Sequence, residues 1–132
     1  DVCSSDLTNT SVFAIEPESD AVGNFLDSLK KFLPLPSDAL VLPSHGKPFT
    51  GLHKRIEQLH AHHTERLDEV RQACITPQSA ADIVPIMFQR TLDAHQLSFA
   101  MGEALAHLHR LWYAGELTRT VGSDGVIRFA IR

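Results

Sequence analysis

Proline placement sets the first limit on this chain. Pro17, Pro34, Pro36, Pro43 and Pro48 cut the first 50 residues into short stretches, whereas nothing interrupts the run from Gly51 to Pro77. A proline inside a helix removes a backbone donor and clashes with the preceding turn, so long helices belong to the second part of the chain and short elements to the first.

Ser11-Val12-Phe13-Ala14-Ile15 is a short apolar run before Pro17, read as a strand or an extended lead-in. From a cap at Ser19 or Asp20, Val22, Phe25, Leu26, Leu29 and Phe32/Leu33 recur at helical spacing until Pro34. Asp38-Ala39-Leu40-Val41-Leu42 reads as a buried strand that delivers Pro43-Ser44-His45-Gly46-Lys47-Pro48 into a loop. The longest helix follows, with Leu52, Ile56, Leu59, His63, Leu67 and Val70 on one stripe. Ser79-Ala80-Ala81-Asp82 has the form of a capping box, and Pro85 is expected to bend or shorten the helix it opens. A further helix runs from about Gln96 to Ala114, mildly weakened by Gly102 and closed by Gly115. Leu117–Val121 and Val126–Ile131 flank Gly122-Ser123-Asp124-Gly125 as a β-hairpin. Leu52, Ile56, Leu59, Met101, Leu105, Leu108, Leu111 and Trp112 are assigned to the core of the second part, joined by Phe88 and Phe129. Helix, helix, helix and hairpin is the element order of a small winged-helix module.

The 132 residues are 43% hydrophobic and 21% charged, which excludes disorder and fits one domain or a small domain with part of another. No apolar run reaches the ~20 residues of a membrane span, and no signal peptide is visible. Twelve Lys and Arg against sixteen Asp and Glu give a formal charge of −4, the wrong sign for a broad phosphate-gripping face. Cys3 and Cys74 form no pair motif, so a reducing cytoplasm is the simplest setting. Asp1-Val2-Cys3-Ser4-Ser5-Asp6-Leu7 reads as a translated sequencing adapter, which makes the remainder a C-terminal fragment.

Eight histidines are many for this length. His45 sits in the loop after the expected strand, where a ligand imidazole can project, although a histidine between a serine and a glycine is more often a turn residue. His53, Glu57 and His60 share a helical face at i, i+4 and i+7, a zinc-capable spacing that here reads better as a solvated surface. His63 continues the apolar stripe and is read as partly buried. His107 and His109 mimic a chelating His-x-His, but positions two apart on a helix diverge by roughly 200°, so with Arg110 they are assigned to a modestly basic face. His95 precedes its helix and is read as capping or orienting it. No self-contained catalytic motif occurs.

Leu40-Val41-Leu42-Pro43-Ser44-His45-Gly46-Lys47-Pro48-Phe49 resembles the last metal-binding motif of the metallo-β-lactamase-fold hydrolases, with Ser44 in place of the usual first glycine. Arg55-Ile56, His62-His63-Thr64-Glu65-Arg66-Leu67 and Phe99-Ala100-Met101-Gly102-Glu103-Ala104-Leu105-Ala106-His107-Leu108 are similar to the C-terminal winged-helix extension of a glyoxalase-II-like branch of that superfamily. The resemblance implies an α+β chain. Residues 1–7 would be adapter, 8–50 the C-terminal remnant of an αββα sandwich, and 51–132 a small winged-helix domain. It further implies a site of one or two zinc ions in which His45 binds the second metal. The other ligands, among them a His-x-His-x-Asp-His motif, are expected upstream, so the fragment itself is expected to be inactive. Asp1 belongs to the adapter and is not counted among them.

In the intact parent, metal-bound hydroxide would attack a small-molecule thioester, ester or lactone. Single-stranded RNA is the second substrate class, and no membrane partner is implied. A third reading makes the winged helix a nucleic-acid or partner-binding module. His107, His109, Arg110, Arg119, Arg128 and Arg132 there face Glu103, Glu116 and Asp124, only a mild positive excess, so packing on the hydrolase domain is the preferred role.

Overall fold

The computed structural model describes residues 10–43 and 46–132. The suspected adapter, Asp1–Leu7, lies outside the described residues. Among the described residues four helices, α1 (Ala21–Lys30), α2 (Leu52–Ala73), α3 (Ala80–Met87) and α4 (Ala94–Tyr113), precede an antiparallel pair, β1 (Leu117–Val121) and β2 (Ile127–Ile131). The result is a small mixed fold of helices and one two-stranded sheet.

Local chemistry explains the boundaries. Asp20 caps α1, its carboxylate accepting from Gly23 N at 3.0 Å. Gly51 enters α2 at φ 87°, a left-handed conformation that a side chain would strain. Ser79 and Asp82 form the expected capping box on α3, which ends two residues after Pro85. Asp93 and Gln96 form a second box that starts α4 two residues earlier than its apolar pattern suggests. The hairpin pairs Leu117 with Ile131, Arg119 with Phe129 and Val121 with Ile127. Its turn is closed by Gly125 N donating to Gly122 O at 2.9 Å.

The main core gathers Val70 and Cys74 from the end of α2, Ile83 and Met87 from α3, Leu108 and Leu111 from α4, and Leu117 and Phe129 from the hairpin. The segment after α2 extends the sheet: Gln78 and Phe129 exchange backbone hydrogen bonds at 2.8 and 2.9 Å, and Ile131 N donates to Cys74 O. Met101, Leu105, Trp112 and Phe88 pack partly buried against this core, as expected. Leu52, Ile56 and Leu59 do not join it. They pack with Phe25, Leu26 and Leu29 of α1, so α2 serves two cores, one with each half.

The Ser11–Ile15 run is a lead-in. Val12 N donates to Gly102 O at 3.0 Å, and Val12 packs with Val22 and Ala106 before the chain turns. Gly102 is therefore an adaptation as well as a helix weakness: a Cβ there would lie 2.9 Å from Ser11 Cβ and 3.1 Å from Val12 O. The buried strand expected at Leu40–Leu42 does not form. Val41 makes an isolated bridge to Phe49, while Leu40 and Leu42 are 65% and 72% exposed. A strand needs a partner along its length, and within the described residues this run has only Phe49.

Candidate functional site

The loop carrying the sequence-assigned ligand is held at its base. Val41 N donates to Phe49 O at 2.8 Å and Phe49 N to Val41 O at 3.1 Å, and Pro43 and Pro48 restrict the chain just inside that bridge. Gly46 stands at φ 89° with open space where a Cβ would be, so the turn needs the freedom that only glycine supplies cheaply. His45 and Ser44 lie outside the described residues. Beside the loop's base is a hollow of about 450 Å³, walled by Phe32, Leu35, Leu40, Leu42 and Leu52, with Arg55 at its lining.

The described histidines go to separate duties. His53 Nε2 donates to Leu35 O at 3.0 Å, Glu57 is exposed, and no donor set surrounds His60 among the described residues, so the i, i+4, i+7 face is a helix surface. Among the described residues no three His, Cys, Asp or Glu side chains converge as a metal site. His95 stacks edge-on against Phe99 in the first turn of α4, where Asp93 does the capping.

His107 and His109 correct the expectation of a basic face, because both are 2% exposed. His109 Nδ1 donates to Ser19 O at 3.0 Å, and its ring lies among Trp112, Tyr113 and Phe129. His107 Nδ1 donates to Glu103 O at 2.8 Å, and its Nε2 lies 3.4 Å from Nδ1 of His63, which is equally buried. Burial is the main cause that pushes each of these two rings down to about 4, helped in His63 by the neighbouring imidazoles.

Three arginines of the tail are also engaged. Arg110 pairs with Asp20 at 2.5 Å, Arg119 with Glu18 at 2.6 Å and Arg128 with Asp124 at 2.7 Å. Arg119 also lies 4.0 Å over the Trp112 ring. Glu18, Ser19 and Asp20 thus bind the far end of α4 and the hairpin across 90 to 101 residues of sequence, a contact that periodicity could not reveal.

Residues 67–132 match the family described as metallo-beta-lactamase-like, C-terminal domain. The chain belongs to this family. A solved structure described as a beta-lactamase domain protein from Burkholderia ambifaria is 56% identical over 96% of the chain, with a TM-score of 0.93. A metallo-beta-lactamase family protein from Thermus thermophilus is 28% identical over 92%, with a TM-score of 0.75. The chain spans 40% and 36% of those two proteins' lengths. None of the curated proteins compared with it matches. No described helix of this metallo-beta-lactamase-like domain is long and apolar enough to cross a membrane.

Proposed function

We propose that the chain is the C-terminal part of a metal-dependent hydrolase of the metallo-β-lactamase superfamily, from its glyoxalase-II-like branch, acting on a thioester, ester or lactone. The observation that carries this reading is the 56% identity to a beta-lactamase domain protein over 96% of the chain. On this reading residues 8–50 complete an αββα sandwich and residues 51–132 form a winged-helix extension, with α2 to α4 as its helices and the hairpin as its wing.

His45 is the metal ligand this chain contributes, and zinc is the metal. The described donors do not make up such a site alone. Catalytic zinc takes three protein ligands, and no three converge among the described residues. No step of the reaction is therefore assigned to this chain's side chains. Their part is positional: the Val41–Phe49 bridge and the Gly46 turn present the loop. The exposed Leu40 and Leu42 offer apolar surface on which the rest of the sandwich packs.

Nucleic-acid binding by the tail is disfavoured because Arg110, Arg119 and Arg128 are held by carboxylates. The test is turnover. The intact protein from the native reading frame, loaded with zinc, hydrolyses a thioester or lactone, and the 132-residue chain with added zinc does not. Turnover by the isolated chain, or an intact protein that cuts only single-stranded RNA, overturns the reading.

A further inference from the structure

We propose that the His63–His107 pair is an acid-labile latch, which fastens α1 and the middle of α2 onto α4 while both imidazoles are neutral and releases them when either ring takes a second proton.

The hydrogen bonds fix the proton positions. Glu103 O can only accept, so the neutral His107 ring carries its proton on Nδ1 and leaves a lone pair on Nε2. His63 Nδ1, 3.4 Å away, must then be the donor to that lone pair. This leaves the buried Nε2 of His63 as an acceptor, and it has no hydrogen-bond partner among the described residues. A bare acceptor is tolerable in such a place. A second proton is not: on His107 Nε2 it would face the His63 N–H donor-to-donor, and on His63 Nε2 it would be a buried cationic donor without an acceptor.

The pair lies where three helices meet. Phe25 of α1 packs edge-on against His63 at 5.5 Å, and the His63 and His107 rings are 5.5 Å apart between α2 and α4. The charged neighbours offer a second proton little compensation. His60 and His62 on α2 repel a charge on His63, and Arg66 repels one on His107, opposed by Glu69. From α4, Glu103 offers its backbone carbonyl to His107, and burial raises its own carboxyl above the usual range, so its titration runs opposite to the rings'. The charged groups of α1 near this end, Asp27 and Lys30, pair with each other at the exposed surface.

The sign follows from linkage. Rings held at about 4 in the fold and near the ordinary histidine value once opened contribute stability that is complete above about pH 6.5 and is lost as pH falls towards 4. One such ring raises the opening constant about 60-fold between pH 7 and pH 4.5.

The test uses the 132-residue chain. Imidazole nitrogen NMR at pH 7 is expected to find both rings neutral with the proton on Nδ1. Amide exchange, corrected for intrinsic rates, is expected to show the protection of Ala21–Lys30 falling at least tenfold from pH 7 to 4.5 while Leu117–Ile131 stays protected. His63→Leu with His107→Leu should abolish that difference. A ring that titrates near 6.5 with α1 still protected overturns the proposal, as does a single opening of α1 and hairpin together. Should the double variant not fold, the native chain's titration alone decides.

Discussion

Replacing Gly23 by alanine should destabilise this protein, although glycine-to-alanine changes in helices usually do the reverse. Gly23 is the third residue of α1, and its missing Cβ makes room for the Asp20 carboxylate and the Arg110 guanidinium. A Cβ there would lie 2.7 Å from Asp20 Cγ and closer still to the polar atoms of both side chains. Asp20 cannot retreat without releasing Gly23 N and its 2.5 Å pair with Arg110. Losing the cap costs about 1 kcal/mol. The half-buried ion pair adds about 0.5–1 kcal/mol. Helix propensity returns about 0.5–1 kcal/mol. The net expectation is a loss of about 1 kcal/mol, read from urea unfolding at constant m. In an Asp20→Ala background the carboxylate is gone and Arg110, no longer paired with it, can swing away as the far end of a flexible side chain, so Gly23→Ala should then stabilise by about 0.5 kcal/mol. A Gly23→Ala change that stabilises the unmodified chain would refute the reasoning.

Three further outcomes are expected. Phe129→Ala empties the centre of the main core, where Phe129 is 1% exposed, and should cost about 3–5 kcal/mol in urea unfolding. Leu40→Ser with Leu42→Ser removes exposed apolar surface without touching a core cluster, so sedimentation should show less self-association with an unchanged unfolding midpoint. The Cys74 thiol is buried and pushed up to about 11, so at pH 8 a thiol reagent should label it only at the rate of unfolding; rapid labelling of folded protein would contradict its placement.

What the sequence made legible was what is local. The Ser79 capping box, the Asp20 cap and the Gly122–Gly125 turn each depend on residues within four positions, and each formed where expected. Asp93 is as local a signal, since Gln96 stands three residues on, but apolar periodicity alone points to a start near Gln96. The duties of His107 and His109 were hidden because their partners, His63 and Ser19, lie 44 and 90 residues away. The α2 stripe was legible as a stripe, yet its periodicity could not tell that Ile56 and Leu59 meet α1 while Val70 meets α3 and α4. Leu40–Leu42 failed as a strand because alternation and apolarity describe one strand, whereas a sheet needs its neighbour.

The claim that this domain completes a metal-dependent hydrolase is tested most directly by the zinc content of the intact protein with and without its His45 imidazole. His45→Ala should bind one zinc equivalent fewer than the unmodified protein while its circular dichroism spectrum is unchanged. Equal zinc content in the two would contradict the assignment of His45 as a metal ligand.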